Sequence, residues 1–255
     1  MKVHPSVKIL QSQGLGSRKI CEKIFWESDI YRNDVPLNPE TDQINYGDRL
    51  EIDGLTLEVT RFKYLMLHKP AGFETSQKPS RHRSVYDLLP PHYRARGIQA
   101  AGRLDVDTTG LLILSDDGQF IHRLISGKTG IKHSIEKIYL VTTAEPLTER
   151  QREALLSGVQ LDDEPEPVAA SQVKVLDICS IAMGITTGKY HQVKRMLAAA
   201  GNHVTALHRK TVGPYALPDE LPAGQFLELD PRLLGDYSAE PQSAAGTTGS
   251  LLLDQ

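Results

Sequence analysis

Two carboxylates, Asp105 and Asp107, stand two residues apart in the polar run Gly102-Arg103-Leu104-Asp105-Val106-Asp107-Thr108-Thr109-Gly110, directly before the apolar segment Leu111 to Leu114. A polar turn mounted on a buried strand holds a catalytic group rigidly. In extended backbone, residues two apart share a face, a relation that a turn would break. Paired carboxylates suit glycoside hydrolysis, a reading that needs a second strong acid site elsewhere. Asp, Thr and Gly are also turn formers, so the same run reads as an ordinary β-turn.

The matching basic groups come later in the chain. In Thr186 to Met196, helical spacing predicts that His191, Lys194 and Arg195 share one face, with Val193, Met196 and Leu197 turned inward. Such a cluster at a helix start can bind phosphate or neutralise a buried carboxylate; it can equally be a solvated face. Tyr139 alternates with Ile138 and Leu140 along a predicted strand, where an inward Tyr is ordinarily core. Leu207 is predicted to end another strand, with His208, Arg209 and Lys210 following as a basic, solvated turn. His191, His203 and His208 do not have a metal-binding spacing, and neither G-x-x-x-x-G-K-[ST] nor G-x-G-x-x-G occurs. The residues thus call for no metal and no nucleotide cofactor.

The elements that must position these groups are mixed. Ser17 precedes an amphipathic segment from Arg18 with Ile20, Cys21, Ile24 and Phe25, and is its predicted N-cap. Arg18 and Lys19 sit in its first turn, where the helix dipole disfavours cations, and phosphate contact is one reason for such a placement. Strand-like pieces follow at residues 48–53 and 55–60, so residues 1–59 read as a small α+β module, with 60–63 as a link expected to be flexible. Predicted strands then lie at 63–69, 110–115 and 137–143, with a long polar loop over 74–99. Asp116 or Asp117 caps a helix with Phe120, Ile121, Leu124 and Ile125 on its apolar face, ended by Gly127. Thr148 and Gln151 form a capping box for a helix to about Ser157. A strand pair (172–178 and 180–187), a helix from about His191 to Gly201 and a strand at 203–207 complete the domain, and 238–255 reads as disordered. Without regular βαβ alternation, the class is α+β.

Composition narrows the partners. The net charge is −3, yet residues 61–140 hold 13 Lys/Arg against 7 Asp/Glu, and residues 186–215 hold 5 against none. A surface patterned in this way can hold a polyanion despite the overall sign. No apolar run approaches the ~18–20 residues of a membrane span. Two unpaired cysteines, Cys21 and Cys179, suit a reducing cytoplasm.

Taken in order, these segments resemble the pseudouridine synthases. The nearest branch is the one that modifies ribosomal RNA and begins with an S4-type RNA-binding module (the RsuA family). Gly102 to Gly118 looks like that branch's signature around its nucleophilic Asp, and Ser17-Arg18 matches a Ser-Arg pair of S4 modules. The start, His4 to Leu10, departs from the Leu-Asp-Lys stretch usual there. The resemblance implies an S4-like module over 1–59 and a catalytic domain with a mixed, largely antiparallel sheet over 64–237. It implies Asp105 as nucleophile, Arg103 as the residue that helps hold the RNA open, Tyr139 as the aromatic stacked on uracil, Lys194 as the cation paired with the nucleophile, and Leu207 as an apolar neighbour of the base. Asp107, Thr108, Thr109 and Gly110 would be structural. Arg18, Lys19, His191, Arg195 and Arg209 are the further expected RNA contacts. The substrate implied is ribosomal RNA, most similar to the small-subunit (16S) case, acted on by a monomer without cofactor. Two alternatives stand beside it: a large-subunit enzyme, and a non-catalytic RNA-binding assembly protein.

Overall fold

The computed structural model describes residues 3–126 and 135–234. Two helices open the chain, α1 (Pro5–Ser12) and α2 (Arg18–Glu27). Ser17 caps α2 as predicted, its hydroxyl accepting from the Ile20 amide at 3.4 Å. Of the apolar stripe, Cys21 and Phe25 are buried while Ile20 is half-exposed. Sequence reading did not resolve α1, which starts at a proline and is capped by the His4 ring. Four short strands follow, β1 (Ile30–Arg32), β2 (Val35–Pro36), β3 (Arg49–Ile52) and β4 (Leu55–Glu58), in the order β2-β1-β3-β4. They share a separate core with the helices, built on Val7, Leu10, Phe25, Ile44 and Leu50.

The segment expected to be a flexible link is tied down. Gln13 bonds Thr60 twice, its Nε2 donating to the carbonyl at 3.1 Å and its Oε1 accepting from the amide at 3.2 Å. The Arg96 side chain, 1% exposed, donates to Asp116 at 2.8 Å, to Gln13 and to the carbonyls of Thr60 and Arg61. The Lys63 amide donates to the other Asp116 oxygen at 2.6 Å. Hydrogen bonds to charged groups contribute about 1.5–3 kcal/mol each. Arg96→Ala is therefore expected to speed limited proteolysis within residues 58–64 by about tenfold or more. Unchanged cleavage would mean that these bonds do not hold the segment.

Among the described residues the larger sheet has nine strands. In chain order they are β5 (Tyr64–Lys69), β8 (Gln99–Ala100), β9 (Thr109–Ser115), β10 (Lys137–Thr143), β11 (Gln172–Asp177), β12 (Ser180–Ile185), β13 (Val204–Val212), β14 (Tyr215–Ala216) and β15 (Phe226–Glu228). The path is β11-β12-β10-β13-β9-β5-β15, with β8 on β9 and β14 on β13. The pairing of β9 with β13 is parallel; the other pairings in this sheet are antiparallel. β5 and β9 are apolar at nearly every position because both their faces are covered. Leu65, Leu67, Leu112 and Leu114 join one core, and Tyr64, Met66, Leu111 and Ile113 the other. Residues 74–99, expected as a long loop, hold the two-residue strands β6 (Phe73–Glu74, beginning just before it) and β7 (Arg83–Ser84), a 3₁₀ turn (Val85–Leu88) and α3 (Pro91–Ala95). These pieces are too short to show periodicity.

Three further helices flank the sheet: α4 (Gly118–Ser126), α5 (Glu149–Ser157) and α6 (Gln192–Ala199). Asp117 caps α4 through the amides of Gln119 and Phe120, and the Thr148–Gln151 capping box of α5 forms as predicted. Gly127 and residues 238–255 lie outside the described residues. Val193, Met196 and Leu197 are the buried stripe of α6. His191 corrects the expected helix start: it precedes α6 as its N-cap, in left-handed backbone (φ 47°, ψ 35°). A second correction concerns His208, Arg209 and Lys210, which form no turn; β13 runs straight through them. No helix among the described residues is long and apolar enough to cross a membrane.

Candidate active site

A cleft of about 250 Å³ opens at one end of the large sheet, between α4 and α6. Arg103, Asp105, Lys137, Tyr139, His191, Leu207 and Arg209 line it. A larger hollow, about 590 Å³, lies between β4 and α3 around Arg49, Lys63 and Glu228, and holds none of the predicted site residues.

The turn that carries Asp105 is held from below. Thr75 donates to the Leu104 carbonyl at 2.9 Å and accepts from its amide, and the Gly72 amide donates to the Val106 carbonyl at 2.7 Å. The Lys69 ammonium is fully buried and donates to the carbonyls of Pro70, Val106 and Thr108 at 3.0, 3.3 and 2.8 Å. Burial lowers its pKa to about 8, opposed by the nearby Asp107 and Asp105 and reinforced by Arg209. Lys69 is not among the predicted site residues; its signal is a lysine ending a strand whose Tyr64 to Leu67 stretch is apolar on both faces.

Two groups meet the Asp105 carboxylate. His191 Nε2 lies 3.3 Å from Oδ1 and Lys194 Nζ lies 3.5 Å from Oδ2. Lys194 is nearer to Asp107, at 2.6 and 2.8 Å from its two oxygens. The expected Lys194–Asp105 pair is thus a shared arrangement, and Asp107 has a part in it beyond shaping the turn. Hydrogen bonding from Lys194 holds the Asp107 carboxyl below the usual carboxylate range.

Tyr139 is buried on β10, and its hydroxyl has no hydrogen-bond partner among the described residues. It stands opposite Arg209, and Val141 stands opposite Leu207, so Tyr139 and Leu207 belong to one face of the sheet. Arg209 corrects the expectation of a solvated basic turn. Its side chain is buried in the cleft floor, Nε donates to the Leu111 carbonyl at 2.8 Å, and one terminal nitrogen is buried without a partner among the described residues. Lys137 adds a second partly buried cation, its pKa lowered first by burial and then by Arg209. Arg103 is exposed on the rim and forms no ion pair among the described residues. Arg195 is committed within the protein, to Asp163 and to the Tyr190 carbonyl. Arg18 pairs with Glu22, and it and Lys19 lie on exposed α2, outside the cleft lining.

This constellation of a clamped acidic turn, an aromatic wall and cations on one sheet end defines a class. Residues 63–199 match the RNA pseudouridylate synthase family. The chain belongs to that family and is an RNA pseudouridine synthase, an isomerase. Among its relatives, the Ribosomal small subunit pseudouridine synthase A of Pasteurella multocida is 34% identical over 231 residues, 90% of this chain and 97% of its own length. The enzyme of the same name from Escherichia coli K12 is 40% identical over 167 residues, 66% of this chain and 70% of its own. A crystal structure of a pseudouridylate synthase superimposes with a TM-score of 0.61 at 35% identity, covering 88% of this chain and 95% of that one.

Proposed function

We propose that the protein converts a uridine of small-subunit (16S) ribosomal RNA to pseudouridine, with Asp105 as the catalytic carboxylate. The observation that carries this reading is the placement of Asp105. It stands at the mouth of a cleft walled by Tyr139 and Leu207, with His191 and Lys194 each on one carboxylate oxygen. The small-subunit assignment is supported by the relatives that align along most of the chain.

The reaction breaks the N1–C1′ bond, turns the uracil and rejoins it through C5 with loss of the C5 proton; nothing is oxidised. A base in a stack must be turned out, which costs a few kcal/mol. Stacking on the Tyr139 ring, worth about 1–3 kcal/mol, offsets that cost. Leu207 supplies the apolar side of the same slot, and Arg103 is an exposed cation at its rim. Asp105 acts as a carboxylate, and the Lys194 ammonium stands 3.5 Å from one of its oxygens. Residues 3–59, with their own core and the exposed Arg18 and Lys19, act as the S4-like module that grips RNA away from the cleft, and the protein works as a monomer in the cytoplasm.

The role of Lys194 gives a graded expectation. Lys194→Met removes the cation from both Asp105 and Asp107 and lowers kcat/KM by about a hundredfold, less than the loss expected from breaking a fully buried pair. Lys194→Arg keeps the charge and stays within about tenfold of wild type, because a guanidinium can reach both carboxylates. Wild-type turnover by Lys194→Met would rule out the pairing.

The function itself is tested by tritium release from C5-labelled uridine in transcripts of small- and large-subunit ribosomal RNA and in partly assembled small subunits. Release from small-subunit RNA or particles alone is expected. Release from large-subunit RNA alone would reassign the substrate, and release from none would overturn the reading.

A further inference from the structure

Tyr190 stands just outside the cleft and takes no part in the chemistry described above. It is among the most exposed large hydrophobic side chains of the described residues, at 73%. Its ring is nonetheless held in place. It lies parallel to His191, with centroids 3.8 Å apart and planes 19° apart, and His191 in turn touches Asp105. The backbone beneath it is pinned. The Tyr190 carbonyl accepts from Arg195 at 3.1 Å. The buried Gln192 side chain accepts from the Lys189 amide at 3.0 Å and the Thr187 hydroxyl at 2.9 Å. The left-handed turn at His191 fixes the ring's approach.

One face of the Tyr190 ring is therefore covered by His191 and the other is open to solvent. An oriented aromatic plane at the mouth of a nucleotide-sized cleft matches the chemistry of an unpaired base, since every base offers a π-face. Recognition of single-stranded RNA relies on such platforms. The target uridine would occupy the cleft beside Asp105, so the base next to it in the strand is the one that can reach the ring.

We infer that Tyr190 is the stacking platform for the unpaired nucleobase adjoining the target uridine, a subsite distinct from the Tyr139 slot. This rests on the proposed action on ribosomal RNA. The platform tolerates any base, preferring purines for their larger stacking surface, and it fixes the strand's position through the stack base–Tyr190–His191.

The test uses a short ribosomal RNA fragment containing the uridine that the wild-type enzyme modifies, and two versions in which the 5′ or the 3′ neighbour is abasic. Tyr190→Ala is expected to raise KM on the intact fragment by about ten- to a hundredfold, with kcat at saturating RNA retained, and Tyr190→Phe to keep the wild-type KM. One of the abasic fragments should raise the wild-type KM by a similar factor and show no further rise with Tyr190→Ala. An unchanged KM for Tyr190→Ala, or an equal loss on the intact and both abasic fragments, overturns the inference, the latter because a ring that only props His191 would act regardless of the neighbouring base. Failure of the wild type to modify any ribosomal RNA would instead overturn the functional reading beneath it.

Discussion

Asp105→Asn lowers tritium release by at least about 10⁴-fold while leaving the thermal transition in place. The two side chains have the same shape, and the turn is held through backbone groups by Lys69, Gly72 and Thr75, none of which touches the carboxylate. What changes is charge. An amide cannot act as a nucleophile or accept a proton as a carboxylate does, and its NH₂ end would face either His191 or Lys194. Asp107→Asn provides the contrast. Asp107 is 72% exposed and pairs with Lys194. Its loss frees Lys194 for Asp105, so turnover stays within about tenfold of wild type. Equal and severe losses in the two variants, accompanied by release of free base or sugar, would replace the isomerase reading with a paired-carboxylate hydrolase.

Gly110→Ala is expected to destabilise the fold by about 3 kcal/mol or more, a fall in Tm of roughly 6–12 °C for a chain of this size. Gly110 lies at φ +106°, where side chains are strained, and a Cβ there would stand 2.3 Å from the Arg209 carbonyl oxygen and 2.6 Å from its amide nitrogen. Both obstacles are backbone, so no side-chain rotation relieves them. The only remedy is to part β9 from β13, which withdraws Leu207 and Arg209 from the cleft along with the strand. Thermal denaturation followed by circular dichroism reads the effect. A wild-type Tm in this variant would show that the two strands can separate at little cost.

These two positions also mark how far the sequence could be read. Hydrophobic patterning located β5, β9, β10 and the inner stripe of α6, because burial on one or two faces leaves a direct trace in residue type. Capping chemistry did the same for α2 and α5, where Ser17 and the Thr148–Gln151 pair bond as expected. The candidate site residues Arg103, Asp105, Tyr139, His191 and Leu207 meet at one cleft, although they come from separate stretches of chain. Arg209 was misplaced because a sequence records its charge but not the Leu111 carbonyl waiting for its Nε, nor the glycine that lets β13 continue past it. Helical spacing groups His191 with Lys194 and Arg195; the first two do meet at Asp105, His191 from a left-handed residue ahead of the helix, while Arg195 turns to Asp163. The tie between Gln13, Arg96 and Asp116 joins three distant parts of the chain and has no local signature at all.

The parallel seam between β9 and β13 has a consequence for how the protein is made. It joins residues 109–110 to 208–209, across about a hundred positions of chain. Contacts of such long range form late in folding. As the chain leaves the ribosome, the acidic turn emerges with Lys69, Gly72 and Thr75 already there to hold it, but well before His191 and Lys194, and before Leu207 and Arg209 of β13. A nascent chain stalled before residue 204 would carry the N-terminal module and the intact acidic turn yet have no cleft. Modification activity is thereby withheld until synthesis of the catalytic domain is nearly finished.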